Sequence, residues 1–125
     1  MIDFVKEFKE KTIPYENNFV KHGETLILCK FIEPDTLHIH EYIAFDASNC
    51  NRTARFLKEL ADRHNIIITG VVKPFLVGPT LSKKNYFFQG LGLDRLLKWY
   101  KAYGFTIHEE DDIIKIIRLP NRSNL

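Results

Sequence analysis

The stretch LHIHEYIAFDASNCNRTARFLKELADRHNIIITGVVKPFLV, residues 37–77, contains a strand, a turn, a helix and a second strand. Its first ten residues alternate for most of their length between apolar and polar, which is typical of a half-buried strand. Apolar residues then recur at helical spacing from Ala54 to Ala61, which predicts a helix over residues 51–65. The apolar run that begins at Ile66 predicts a buried strand. A strand, a helix and a strand in this order predict a right-handed parallel crossover.

The flanking residues predict additions to both ends of this crossover. The remaining predicted elements are an N-terminal helix over residues 1–14, a strand over 25–33, a helix over 93–103 and two strands within 105–120. The strand over 25–33 is followed by turn residues, so it pairs with the next strand as an antiparallel hairpin. The predicted fold class is α/β (α+β): a single domain, 1–125, with a core over about 25–120. Its sheet is mixed and mostly antiparallel, with helices on both faces.

The composition limits the class of protein. A chain of 125 residues corresponds to about one domain, and its 45% hydrophobic residues are enough for a core. The net charge of +2 is small for a dedicated DNA-binding domain. The longest apolar runs are too short to span a bilayer. Cys29 and Cys50 are predicted to be reduced thiols of a cytoplasmic protein, with a disulfide between them as the alternative.

The strand that begins at Leu37 carries a glutamate among apolar residues. Simple alternation places one set of side chains on one side: Leu37, Ile39, Glu41, Ile43 and Phe45. A carboxylate in an apolar row is costly unless it is paired or its pKa rises, and glutamates with a raised pKa serve as general bases. The alternative is a position near the sheet edge, where Glu41 reaches water or a lysine.

The opposite side of the same strand carries His38, His40 and Tyr42. Two histidines two residues apart on a strand can share a metal ion, but the sequence offers no third ligand, and zinc needs more than two. We therefore predict no metal here and expect this side to face solvent or a partner.

The turn after this strand leads into a helix whose first residues suit an anion. A helix N-terminus offers backbone N–H groups and a partial positive charge, which favour phosphate. Asn49, Asn51 and Thr53 are turn and N-cap types, and Arg52 and Arg55 add positive charge. The alternative is a capped helix with its arginines in solvent.

The predicted helix over residues 93–103 leads into WYKAYGF, residues 99–105. A tyrosine at this point, Tyr100 or Tyr103, could donate a proton to a leaving thiolate at the carboxyl end of a strand. The alternative is a core tyrosine whose hydroxyl group finds a partner at the rim of the core.

In this order, the elements over about Thr25 to Pro120 resemble the GNAT superfamily of acyl-CoA-dependent N-acyltransferases. WYKAYGF is similar to the aromatic-Tyr-x-x-x-Gly-Phe signature of the family's last helix. NCNRTA aligns with the coenzyme signature Gln/Arg-x-x-Gly-x-Gly/Ala. In that alignment Asn49 stands at the Gln/Arg position, Arg52 replaces the first glycine and Ala54 fits. Leu93 stands where the family has an asparagine.

The resemblance implies acetyl-CoA or another acyl-CoA as co-substrate, with no metal. The pantetheine arm would follow the strand that ends near Phe45, and the pyrophosphate would bind the amides of Asn51 to Arg55. Glu41 would be the general base and Tyr100 would protonate the thiolate. The residues implied in coenzyme binding are Phe45, Asn49, Asn51, Arg52, Thr53, Ala54 and Arg55.

Three functions compete at this level. The first is an N-acyltransferase acting on an amine, either a small molecule or a protein, with no membrane partner. The second is a relative that has lost catalysis and binds a protein through the loop at 73–92 or through the face that carries His38. The third is a protein that binds or modifies nucleic acid, which the small net charge makes the weakest of the three.

Overall fold

The structure, a computed structural model, describes residues 1–44, 47–72, 95–111 and 113–121. Seven strands of these residues form one sheet, in the spatial order β1-β2-β3-β4-β5-β7-β6. The strands are β1 (Ile13–Pro14), β2 (Val20–His22), β3 (Thr25–Ile32), β4 (Thr36–Ile43), β5 (Ile67–Val72), β6 (Thr106–Glu110) and β7 (Ile113–Arg118). The helices are α1 (Ile2–Glu10), α2 (Ala47–His64) and α3, which is helical over 95–102.

The predicted crossover is confirmed. Residues 36–39 of β4 pair in parallel with residues 67–70 of β5, and α2 connects the two strands. The other neighbouring strands pair antiparallel, including the predicted β3–β4 hairpin. The sheet is therefore mixed and mostly antiparallel, as the sequence predicts. Among the described residues, no helix is both long and apolar enough to cross a membrane.

The N-terminal part of the chain differs from the prediction. The predicted helix over 1–14 ends at Glu10, and Pro14 pairs with Val20 in a short antiparallel ladder. The residues from there up to Glu24, for which the sequence predicted no helix or strand, contain a 3₁₀ turn (Glu16–Asn18) and β2. Strands of two and three residues are too short to produce a recognisable alternation, so the sequence did not reveal them.

The described helices all contribute side chains to one face of the sheet. Arg118 and Ile116 are two residues apart in β7, so they share a face. Arg118 binds Asp62 of α2, and Ile116 forms an apolar cluster with Leu96 of α3. α1 packs on α2 through ring contacts and an ion pair. The prediction of helices on both faces is therefore wrong for the described part of the chain.

Two apolar clusters fill the space between this face and the helices. The larger lies under α1 and α2 and contains the buried residues Phe4, Phe8, Ile27, Leu37, Leu57, Leu60, Ala61, Ile66 and Ile68. The smaller lies under α3 and contains Val72, Leu96 and Ile116. Cys29 packs against the larger cluster and is in no disulfide, and burial raises its pKa to about 11. Its thiol is therefore protonated at neutral pH.

A buried ion pair fixes the end of α3. The guanidinium of Arg118 donates two hydrogen bonds to the Asp62 carboxylate, at 2.7 and 3.0 Å. Its Nε donates to the backbone carbonyl of Tyr103 at 2.7 Å. Gly104 follows with φ +91°, and a Cβ there would lie 3.3 Å from Arg118 Nε. Glycine is thus favoured at position 104 by both the backbone angle and the limited space beside it.

Candidate functional site

A β-bulge in β4 changes which side chains face the helices. Ile39 pairs with Cys29 and Glu41 pairs with Leu28, so His40 has no partner residue in β3. An unmatched residue reverses the alternation of the strand beyond it. Before the bulge, odd-numbered residues face the helices. After it, even-numbered residues do.

Tyr42 is therefore on the helix side of the sheet. It pairs with the buried Ile27, and its hydroxyl group donates a hydrogen bond of 2.6 Å to the carbonyl of Cys50 in α2. Its ring lies 6.0 Å from the ring of Trp99 in α3. The expectation that Tyr42 shares a solvent-facing side with His38 and His40 is wrong, because simple alternation does not hold across the bulge.

Glu41 lies on the other face. It is half-buried, and the next residue in the strand, Tyr42, turns toward the helices instead. The row of side chains predicted to extend from Leu37 and Ile39 through Glu41 is interrupted at His40. The carboxylate is thus on the face of β4 opposite the described helices, beside the carboxyl end of the strand.

The pairing of the two parallel strands, β4 and β5, ends at the residue that precedes the bulge. Their pairing ends at Ile39 and Gly70, although β4 continues to Ile43 and β5 to Val72. In the part of the chain that the structure describes, no strand pairs with β4 on this side beyond Ile39. Among the described residues, the backbone of residues 40–43 therefore forms an open edge. In sheets with parallel strands, ligands bind at such carboxyl ends.

The helix that follows begins four residues earlier than expected. α2 starts at Ala47, whereas the sequence predicted a start at Asn51. The backbone N–H groups of residues 51–55 are consequently inside the helix, where intrahelical hydrogen bonds use them. The backbone N–H groups that have no acceptor within the helix therefore belong to the first turn of α2, which begins at Ala47.

Several residues expected to hold a coenzyme make contacts within the protein. Asn49 Oδ1 accepts a hydrogen bond from the Glu24 N–H at 3.4 Å. Thr53 is fully buried, and its hydroxyl oxygen lies 2.7 Å from His22 Nδ1. Ala54 is buried as well. These side chains attach α2 to the β2–β3 hairpin and to the core.

Asn51 joins α2 to α3. Its Oδ1 accepts a hydrogen bond from Trp99 Nε1 at 2.9 Å and another from the Tyr103 hydroxyl group at 2.8 Å. The sequence did not reveal this contact, because an asparagine near a helix start predicts a cap or a turn. The only sign of this contact in the sequence was the cluster of Trp and Tyr residues at the end of the predicted helix over residues 93–103.

Arg52 and Arg55 are exposed. Arg52 is close enough to His22 for its charge to lower the pKa of that imidazole, which burial already lowers. Arg55 lies near Tyr103 and acts to lower the pKa of that phenol, which burial raises. The described residues form no ion pair with either arginine. Both side chains project from α2, and helical side chains lean toward the N-terminus of their helix.

Tyr100 lies on the helix side of the sheet, near the carboxyl end of β5. It packs against the cluster that contains Val72, and its ring contacts Trp99 at 5.2 Å and Phe105 at 5.5 Å. Burial raises the pKa of Tyr100, and the neighbouring Cys50 raises it further. The phenol is therefore protonated at neutral pH and is able to donate a hydrogen bond.

His38 and the unmatched residue His40 contact each other. The ring centroids of His38 and His40 are 4.7 Å apart, and His38 Nδ1 lies 2.7 Å from the Thr69 hydroxyl oxygen. Burial lowers the pKa of His38, with smaller contributions from His40 and Lys30. Within the described ranges, no three His, Cys, Asp or Glu side chains form a group that could hold a metal ion.

Some of the residues singled out from the sequence lie outside the described residues. They are Phe45, the loop at 73–92 and Leu93.

No protein-family model, curated protein or solved structure gives a significant match to this chain.

Proposed function

We propose that the protein is an N-acyltransferase that moves an acyl group, in the first instance acetyl, from acyl-CoA to an amine. The observation that carries the proposal is the backbone edge of β4 beyond Ile39, which no other described strand pairs with and which lies next to the first turn of α2. The order of elements also agrees with the resemblance drawn from the sequence: hairpin, helix, buried strand, helix and two final strands.

This combination suits the chemistry of coenzyme A. An extended arm that carries amide groups can pair with an unpaired strand edge through backbone hydrogen bonds. A pyrophosphate suits a helix N-terminus because the amides and the helix dipole both favour negative charge. The exposed Arg52 and Arg55 project from the second and third turns of the same helix and would add positive charge.

Glu41 and Tyr100 would act from opposite faces of the sheet. A thioester lying where β4 and β5 separate would have Tyr100 on the face that carries the described helices and Glu41 on the opposite face. Glu41, acting through a water molecule, takes a proton from the amine as its nitrogen attacks the thioester carbonyl. The carbon–sulfur bond then breaks, and Tyr100 supplies a proton to the departing sulfur. Solvent restores both groups, and the products are an amide and free coenzyme A.

Calorimetry with acetyl-CoA tests the proposal. We expect binding with a dissociation constant below about 1 mM, the upper end of the usual range for enzyme substrates. Release of coenzyme A with spermidine, L-lysine and a lysine-containing peptide then tests turnover. Glu41→Gln should lower turnover on the order of 100-fold with little effect on binding, whereas Glu59→Gln, at an exposed position of α2, should change neither. Absence of binding for both acetyl-CoA and coenzyme A would reject the proposal.

One observation favours the second candidate, a protein-binding relative without catalysis. Asn49, Asn51 and Thr53, three polar residues that the resemblance assigns to the coenzyme, make hydrogen bonds within the protein instead. This candidate predicts no heat of binding with acetyl-CoA and no change in melting temperature. The same calorimetry therefore separates the two candidates.

A further inference from the structure

Asn51 receives two hydrogen bonds on a single oxygen atom. Trp99 Nε1 and the Tyr103 hydroxyl group both donate to Asn51 Oδ1, at 2.9 and 2.8 Å. The two donors are four residues apart, with Trp99 in α3 and Tyr103 directly after its last residue, so they stand about one turn apart. Asn51 itself is half-buried in α2. One amide oxygen thus holds one side of α3 against α2.

These two donors bracket Tyr100. Trp99 precedes it, and the rings of Trp99 and Tyr103 contact each other at 5.0 Å. A helix that is held at two points one turn apart cannot roll about its axis without breaking a hydrogen bond. The direction of the Tyr100 side chain, which packs against the ring of Trp99, follows from that constraint. The carbonyl of Tyr103 is also held by Arg118, which fixes the end of the same segment.

We infer that Asn51 is a positioning residue for Tyr100: by holding Trp99 and Tyr103, it aims the Tyr100 phenol at the sulfur of the coenzyme. This inference rests on the proposed function. It assigns Asn51 a role in aligning the proton donor in place of the coenzyme contact that the sequence suggested.

Misalignment of a catalytic group is costly even when binding is preserved. A displacement of about 1 Å can lower a rate on the order of 100-fold. A residue that only stabilises the fold would not change the ionisation of a bound ligand selectively. The pKa of the thiol of bound coenzyme A is therefore the informative quantity, and its measurement needs no acyl acceptor.

The experiment follows the thiolate absorbance of coenzyme A bound to the full chain as the pH is raised. In the wild type, a hydrogen bond from Tyr100 should lower the thiol pKa by about one unit from its value in free coenzyme A. Tyr100→Phe should abolish this shift. Asn51→Leu, which has a similar shape and no acceptor, should also abolish it while coenzyme A still binds. Asn51→Asp keeps an acceptor oxygen and should retain the shift.

Two further measurements keep the test decisive. Trp99 is the only tryptophan of the chain, so its fluorescence emission should change in Asn51→Leu and stay close to the wild type in Asn51→Asp. If Asn51→Leu does not fold, Tyr103→Phe removes one of the two donors and should lose part of the shift. Failure of the wild type to bind coenzyme A rejects the proposed function. Binding with an equal thiol pKa in the wild type, Asn51→Leu and Tyr103→Phe overturns the positioning role alone.

Discussion

The carboxylate of Asp62 and the guanidinium of Arg118 form a two-point ion pair in the interior of the protein, with both side chains almost completely buried. Asp62 also accepts a hydrogen bond from the backbone N–H of Asn121 at 2.8 Å. The pair therefore joins α2, β7 and the segment after β7. A buried charge without its partner is strongly unfavourable.

Replacement of either partner alone should destabilise the protein. We expect Asp62→Asn to lower the free energy of unfolding by about 3 kcal/mol, because it leaves the Arg118 charge buried and unpaired. Urea-induced unfolding measures the difference. As a control, Glu110→Gln breaks the exposed pair with Lys115 and should change the free energy by less than about 1 kcal/mol. Equal effects of the two substitutions would contradict the importance assigned to burial.

Acid should weaken the attachment of α1 to α2 through Glu7. Hydrogen bonds from His64 and then Lys11 lower the pKa of Glu7 from 4.5 to about 2, and Arg63 adds to this. Because the folded-state pKa is the lower one, the stabilisation is fully present above about pH 4.5 and is lost as the pH falls toward 2.

The corresponding measurement compares the wild type with Glu7→Gln in urea unfolding between pH 6 and pH 2. The wild type should be the more stable protein at pH 6, and the difference should shrink progressively below about pH 4.5. Glu10→Gln, at an exposed position of the same helix, should follow the wild type throughout. A difference between wild type and Glu7→Gln that stays constant over this range would argue against the ion-pair network.

Removal of the Tyr42 hydroxyl group should weaken the contact between β4 and the first turn of α2. Its hydrogen bond to the Cys50 carbonyl is short, at 2.6 Å, and partly shielded from water. We expect Tyr42→Phe to cost about 1 kcal/mol of unfolding free energy. Tyr15 is 47% exposed, so Tyr15→Phe should have no measurable effect. If the two variants behave alike, Tyr42 does not face the helices.

Gly104→Ala should destabilise the junction between α3 and β6. The residue has φ +91°, a region that side chains with a Cβ rarely adopt, and the new methyl group would lie 3.3 Å from Arg118 Nε. We expect a loss of about 1–3 kcal/mol, measured by thermal unfolding. Asp111→Gly, at another residue with positive φ, should not lower the melting temperature to a similar degree. A wild-type melting temperature for Gly104→Ala would contradict this expectation.

The sequence predicted those parts of the fold that produce long, regular patterns. The alternation in β4, the apolar run of β5 and the helical spacing in α2 together predicted the parallel pair. The bulge at His40 cannot be recognised in the sequence of β4 alone. It arises from the pairing with β3, where the adjacent residues Leu28 and Cys29 face Glu41 and Ile39 and leave His40 unmatched. Tyr42 and Glu41 were consequently assigned to the wrong faces.

The candidate site was less predictable than the fold for the same reason. The partners of Asn49 and Asn51 are the Glu24 N–H and side chains of α3, which are distant in the sequence. Local propensity favours asparagine in caps and turns, and these tertiary hydrogen bonds outweigh that preference. Helix α2 therefore extends four residues further toward its N-terminus than its composition suggests.

The unmatched residue in β4 has a consequence for how this protein can vary. Because His40 has no partner across the strand, many side chains should be acceptable at that position. The number of residues between Ile39 and Tyr42 is a different matter, since a chain shorter by one would turn Tyr42 away from α2 and bring Glu41 toward it. Natural variation therefore has to preserve the number of residues between Ile39 and Tyr42, whereas the identity of the residue at position 40 is less important.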